Sequence, residues 1–244
     1  MTRATRRRIA VIGSAAALGV LSPLWGPLVL RNIPIFGVEE VYVHDVRYLG
    51  EADVRELAGL DASNSVWDDM APVEARLIEH PVILDARIRR GGLHRLDITI
   101  REVQALAFVA TPALVPVDAG GRAIPLDPSE HALDLPILVG GELVGGRVEP
   151  EPARRALVVL DRLNALDSAF TRQISEMRPL GAESVEFRLL PGSPLERVIL
   201  PFSEIDVAFQ RVGVAVTLAE ARGPVRDADA RFENEVVIRM GKHR

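Results

Sequence analysis

The chain has 244 residues, 29 basic against 34 acidic side chains for a net charge of −5, and no cysteine. Without cysteine there is no disulfide, no thiolate nucleophile and no cysteine-bound metal. The acidic balance and the lack of arginine clusters interleaved with aromatic residues argue against nucleic acid, since an anionic surface is repelled by phosphate.

The first feature along the chain is Ile9 to Leu30, IAVIGSAAALGVLSPLWGPLVL, 22 residues without a charged side chain. At about 1.5 Å of rise per residue it is long enough to cross the ~30 Å hydrocarbon core of a bilayer. Arg3, Arg6, Arg7 and Arg8 precede it and only Arg31 follows closely. The positive-inside rule then predicts a single-pass protein with a cytoplasmic tail at residues 1–8 and the rest exported. A cleaved signal peptide is the alternative, with Ser14 to Ala17 as a mimic of a cleavage site, but its apolar core is normally only about 7–15 residues. A buried soluble helix fits less well, because Gly13, Gly19, Pro23, Gly26 and Pro27 weaken helices in water more than in lipid.

Beyond the apolar stretch, acidic residues outnumber basic ones by nine, and the length suits two modest domains. Val41, Tyr42 and Val43 have the period of two expected of a strand. Glu51 to Ala58 is acidic at its start, carries Val54, Leu57 and Ala58 on one stripe, and meets Gly59 where a left-handed residue ends a helix. A second helix is predicted from Pro72, with Val73 and Leu77 at i, i+4, ending at His80-Pro81. Then Leu84, Ala86 and Ile88 alternate with charged residues, as do Leu96, Ile98 and Ile100 after Gly91-Gly92. This is an antiparallel pair with one face on a core and one in water. The order β-α-α-β-β makes a small sheet covered by two helices.

From Ala105 short apolar runs at Leu106 to Val109, Leu114 to Val117, Gly121 to Ile124 and Pro136 to Val139 predict meandering strands. Pro150 and Pro152 open a helix with Ala156, Leu160 and Leu163 at i, i+4, i+7, running to Asp167-Ser168. Val185 to Leu189 and Arg197 to Leu200 are further strands. Ser203, with Asp206 three residues on, is expected to cap a helix whose apolar face continues through Phe209, Val212 and Val216. Gly223-Pro224 stops it. Phe232, Asn234, Val236, Ile238 and Met240 then alternate with Glu233, Glu235 and Arg239 as an amphipathic final strand.

No catalytic constellation emerges: Gly-x-Ser-x-Gly, Ser-x-x-Lys and His-Glu-x-x-His are all absent. His44, His80, His94, His131 and His243 are too widely spaced for a helix-borne metal pair, and His80 reads as a helix-end residue. The carboxylate pairs Asp68-Asp69 and Glu149/Glu151 fall where helices begin and suit the positive end of the helix dipole better than acid–base catalysis. The Gly-Gly pairs lack the strand and helix context of a phosphate loop and are turns. No catalytic residue, cofactor site or metal site is therefore assigned. The feature with chemistry left in it is the final strand, because an exposed edge is a docking rail for another chain. Arg231, Phe232, Asn234, Val236 and Ile238 are the candidate partner-binding residues; an ordinary strand without a partner is the alternative.

Several short patterns occur in order behind the single span. Leu77, Pro81, Val82, Ala86, Ile88 and Arg89 are followed by Leu96, Ile98, Ile100 and Glu102. Then come Leu114-Val115-Pro116-Val117-Asp118 with Gly120 or Gly121, Leu135-Pro136-Ile137-Leu138, and Asp229-Ala230-Arg231-Phe232. Together they resemble the FtsQ/DivIB family of bacterial cell-division proteins over nearly the whole chain. Two departures stand out: no glycine follows the first strand, and Arg90-Gly91-Gly92 replaces an aromatic-proline hairpin.

The resemblance implies an α+β fold with a single N-terminal transmembrane helix at 9–30. A β-α-α-β-β POTRA domain at 36–103 follows, and then a mixed β-rich domain at 104–241 ending in an edge-type strand. It implies a non-enzymatic divisome scaffold in the inner (plasma) membrane at the division septum, with the bulk of the chain extracytoplasmic. Such a scaffold recruits bitopic partners similar to FtsB/DivIC and FtsL and helps regulate septal peptidoglycan synthesis. Two other functions fit the same domain order: a POTRA-containing secretion or membrane-assembly factor, and a membrane-anchored cell-wall enzyme.

Overall fold

The computed structural model describes residues 26–128 and 130–241. The expected span lies outside these except for Gly26–Leu30, which is helical. Among the described residues no helix is long and apolar enough to cross a membrane. The chain is mixed α+β and divides into two compact units, at Met1–Glu102 and Val103–Arg244.

In the first unit β1 (Glu40–His44), α1 (Glu51–Ala58), α2 (Ala71–Ile78), β2 (Ile83–Arg90) and β3 (Arg95–Glu102) follow one another. Local chemistry sets the helix ends. Asp53 accepts the Gly50 N–H at 3.1 Å, and Gly59, at φ 56°, lets its N–H reach the carbonyls of Arg55 and Glu56. Pro72 in the first turn of α2 forgoes an N–H that no helix carbonyl would have bonded. β2 and β3 form the glycine-linked hairpin, Ala86 opposite Ile100 and Ile88 opposite Ile98, and β1 joins β3 in parallel. The three strands lie in the order β1-β3-β2. Their inward positions, Val43, Ala86, Leu96, Ile98 and Ile100, pack with Val54 and Ala58 of α1 and Val73 and Leu77 of α2.

Glu102 closes this unit's connection between β1 and α1. Its carboxylate accepts the N–H groups of Arg47, Tyr48 and Leu49 at 2.9, 2.7 and 3.0 Å. Charge-assisted bonds of this kind fix a turn that has no ladder of its own.

The second unit is an eight-stranded mixed sheet. In chain order its strands are β4 (Ala107–Thr111), β5 (Ala113–Val117), β6 (Ile137–Leu138), β9 (Ile174–Leu180), β10 (Ser184–Leu189), β11 (Arg197–Pro201), β12 (Val225–Asp229) and β13 (Val237–Met240). A separate hairpin, β7 (Glu142–Val144) with β8 (Arg147–Glu149), sits beside it. In space the order is β13-β12-β11-β10-β9-β6-β4-β5.

Three helices complete the unit: α3 (Glu151–Leu166), α4 (Ser168–Thr171) and α5 (Ile205–Glu220). The apolar stripe of α3, Ala153, Ala156, Leu157, Leu160 and Leu163, is fully buried with Ala208 and Val212 of α5 against Met177, Val185, Phe187, Val198 and Leu200 of the sheet. Burying each of the larger side chains contributes roughly 1.5–3 kcal/mol. The other face of the sheet carries charge: Glu186 pairs with Arg188 and Arg197, and Asp227 with Arg197 and Arg239.

Several local expectations change. Gly121 to Ile124 makes isolated bridges at Arg122 and Ala123 instead of a strand, because Gly121 turns the chain at φ 72°. Ser203 does not cap α5: the helix starts after Glu204, whose backbone is left-handed at φ 50°, and Asp206 binds Arg162 across to α3. Asp167 is the effective cap, accepting the N–H groups of Ala169 and Phe170 to start α4. The carboxylate pairs serve local order. Asp68 and Asp69 accept the N–H groups of Ser65 and Ala71, and Glu149 and Glu151 both bind Arg154.

Candidate docking edge

The C-terminal end of the second unit forms a hairpin, and the expected final strand from Phe232 to Met240 is shorter than its alternation suggests. Extended pairing occupies only Val237–Met240, while 231–236 is a connecting loop from β12. Two anchors bend it. Asp229 accepts both the backbone N–H and the guanidinium of Arg231, at 3.1 and 2.7 Å. From α5, the guanidinium of Arg211 donates to the carbonyls of Phe232, at 3.3 Å, and Glu233. Carbonyls turned toward Arg211 are not available to a ladder.

The Asp229 carboxyl is subject to opposing effects: burial raises its pKa, while the bonds from Arg231 lower it, and the net displacement is downward. The Arg231 guanidinium is correspondingly pushed up by Asp229. Both stay charged near neutrality, so the pair holds the start of the loop.

β13 pairs antiparallel with β12, Ile238 opposite Ala228 and Val237 opposite Asp229, with an irregularity near Val225. On its other side it ends the sheet. The five candidate residues separate into two groups. Arg231, Phe232 and Asn234 are exposed on the loop, whereas Val236 and Ile238 turn inward and pack on the helix-covered core. Exposed on the strand itself are the residues between and beyond them: Val237 at 52%, Arg239 on the charged face, and Met240. Of the alternating set Phe232, Asn234, Val236, Ile238 and Met240, only Val236 and Ile238 face the core.

Beside the loop lies an open cleft of about 860 Å³ lined by Arg155, the β9–β10 turn, Pro201, Ser203, Arg231 and Phe232. Arg155 is held there, its guanidinium 4.5 Å from the Phe202 ring centre and donating to the Ala182 carbonyl at 2.8 Å. No group of three or more His, Asp or Glu side chains is placed to hold a metal ion among the described residues.

No protein-family model matches the chain. A curated relative, the cell division protein FtsQ of Myxococcus fulvus, is 25% identical over 226 residues, covering 89% of this chain and 78% of the relative. The chain is thus similar to an FtsQ protein over most of its length. A solved structure also aligns with part of the chain: the major extracytoplasmic domain of the trans isomer of the cell division protein DivIB from Geobacillus stearothermophilus. The two share 20% identity, with 49% of this chain and 97% of that one covered and a TM-score of 0.32.

Proposed function

We propose that this chain is a membrane-anchored scaffold of bacterial cell division that recruits bitopic partners of the FtsB/DivIC and FtsL kind and so helps regulate septal peptidoglycan synthesis. The similarity to an FtsQ protein along 89% of the chain supports the division role. The apolar stretch Ile9–Leu30 supports the anchor, and the arginines before it support an extracytoplasmic position for both folded units, the first as a POTRA-type domain.

The observation that carries the recruiting role is the outer edge of β13, to which no strand of the described residues is paired. A partner segment that adds as a ninth strand gains backbone hydrogen bonds there, and specificity comes from side chains at either end. Phe232, half exposed on the adjoining loop, and the cleft beside it supply an apolar contact and two guanidinium groups.

The test is co-purification of partners from cells carrying the full chain with Phe232→Asp and Val237→Asp, both exposed positions whose change leaves the core intact. Partner recovery falls at least tenfold while the amount of folded protein is unchanged. Undiminished recovery would remove the edge from the account. Val236→Asp is a poorer probe, because Val236 is partly buried against the core and a charge there also destabilises the domain. Depletion in the native cell is expected to give filaments, and septation at normal frequency contradicts the division role.

A further inference from the structure

One end of the first unit joins three segments distant in sequence: the entry turn before β1, the loop ahead of α2 and the tip of the β2–β3 hairpin. The Val66 N–H and the Ser65 hydroxyl donate to the Phe36 carbonyl at 2.9 and 3.2 Å. The N–H groups of Glu39 and Glu40 donate to the His94 carbonyl at 2.9 and 3.1 Å. The Phe36 ring meets Trp67 edge-on at 6.0 Å, and the Arg90 guanidinium lies 3.8 Å from the Trp67 ring centre. The tip is therefore braced, yet it holds an apolar side chain out in solvent: Leu93 is 62% exposed, and Ile35, next to Phe36, is 59% exposed.

Large apolar side chains held out on a well-braced end suit a surface that something else covers, and the course of the chain says what. Only residues 31–33 separate the apolar stretch from the entry turn at Pro34–Phe36. They are not extended, since the N–H groups of Asn32 and Ile33 donate back to Val29 and Leu30 at 3.2 and 3.1 Å. Three residues reach at most about 11 Å even when stretched, so this end lies within headgroup distance of wherever Leu30 sits.

We propose that this end of the first unit is a lipid-contacting surface. In the anchored protein Leu93 and Ile35 enter the headgroup region of the bilayer that Ile9–Leu30 crosses. Arg89 and Arg90 flank the insertion and donate to lipid phosphate, and Trp67 takes the interfacial level that its amphipathic ring favours. The inference rests on the spanning reading of that stretch. Carboxylates also lie at this end: Asp61, Asp68 and Asp69 accept N–H groups of Ser63, Ser65 and Ala71, Asp97 pairs with Arg95, and Glu39 stands 4.0 Å from His94, beside Glu40. Attraction by bulk charge is thus weak, and contact depends on apolar insertion more than on salt.

The absence of cysteine makes the test clean, because any introduced thiol is unique. Single nitroxide labels at Leu93→Cys, Ile35→Cys, Leu84→Cys and Val20→Cys are compared in the full chain in nanodiscs of phosphatidylethanolamine and phosphatidylglycerol. Relaxation by lipid-soluble oxygen is measured against relaxation by a water-soluble nickel chelate. Leu84 is 53% exposed at the far end of the same hairpin and serves as the aqueous control. Labels at 93, 35 and 20 respond to oxygen and resist nickel, with the ratio at 93 at least fivefold above that at 84 and little changed between 50 and 300 mM salt. A label at 93 as accessible to nickel as that at 84, with 20 still in lipid, overturns this inference and leaves the span standing. If the label at 20 is itself aqueous, the spanning reading falls first. Shielding of 93 from both reagents points to a protein neighbour and also overturns it.

Discussion

Arg211 offers a direct test of how the candidate loop is held. Its guanidinium is the described link from α5 to the carbonyls of Phe232 and Glu233. Arg211→Met removes that link while keeping most of the aliphatic stem that packs along the helix. Hydrogen bonds from a charged donor are worth roughly 1.5–3 kcal/mol when both groups are buried, but these carbonyls lie at the surface and regain water. The net loss is therefore about 1 kcal/mol, borne by the loop and not by the sheet. A loss of that size raises the open fraction of the loop about fivefold, so amides of residues 231–236 exchange about fivefold faster with solvent. Exchange of β10 and β11 amides stays as it was, and the thermal midpoint drops by no more than about 2–4 °C. Hydrogen-exchange mass spectrometry on the full chain reads the first two, and a calorimetric melt reads the third. Unchanged protection of 231–236, or equal acceleration throughout the second unit, would refute the assignment of Arg211 as a local clamp. If partner docking uses the ordered loop, the same variant weakens partner affinity up to about fivefold, since the loop must then be ordered on binding.

Other perturbations probe what the clamp is attached to. Glu102→Ala strips an acceptor from three backbone N–H groups and destabilises the first unit by about 2–3 kcal/mol, while Glu102→Gln loses roughly half as much; chemical denaturation with each variant separates the two. Leu163→Ala, at a fully buried position of α3, costs about 3 kcal/mol and lowers the urea midpoint of the second unit without changing the first. The Asp229 carboxyl, held below its ordinary pKa, contributes stability that is complete above the usual carboxylate range of about 4 and fades as pH falls through its lower folded value. Arg231→Ala removes the guanidinium's share of the lowering while the backbone N–H of residue 231 and Arg197 still oppose burial, and a carbon-detected NMR titration finds the Asp229 midpoint moved upward; an unmoved midpoint means the side-chain pair is not formed in solution.

Periodicity revealed the elements whose two faces meet unlike environments. From Ala86 onward the β2–β3 hairpin alternates apolar and charged residues because one face meets α1 and α2 and the other water, whereas a register shift before Asp85 buries Ile83 and leaves Leu84 exposed; α3 repeats at 3.6 because one stripe meets the sheet. β12 was hidden for the opposite reason. Its sequence Val-Arg-Asp-Ala-Asp looks like solvated loop, yet Asp227 is buried because Arg197 and Arg239 flank it on the neighbouring strands. A strand that pairs its charges across the sheet carries no apolar alternation to read. The start of α5 failed similarly: Ser203 with Asp206 has the spacing of a capping pair, but Asp206 finds Arg162 forty-four positions away. Glu102 entered only as one letter of a motif. Its role follows from three N–H groups more than fifty residues upstream, which no local window contains.

The candidate site is legible in the sequence as an edge strand from Phe232 onward; β13 does end the sheet, but only Val237–Met240 is strand, and the two ends of the eight-stranded sheet differ in how open their edges are. At the far end β5 carries Pro116, which has no N–H to offer, and Val117 is bridged to Ala123 beyond the strand. That edge is closed to a further strand by its own sequence. β13 has no proline, and its exposed Val237 and Met240 offer apolar contact. An arginine on an edge ordinarily wards off another chain, but Arg239 faces Asp227 at 3.4 Å and part of its charge is answered within the sheet. Inward anchoring by Val236 and Ile238 then does what an edge needs for docking: it fixes the backbone so that outward-facing N–H and C=O groups are already aligned. Under the proposed docking, a partner strand adding there would have no ordering of β13 to supply, only its own, and the loop clamp at Arg211 and the inward pair at Val236 and Ile238 would serve the edge without touching the partner.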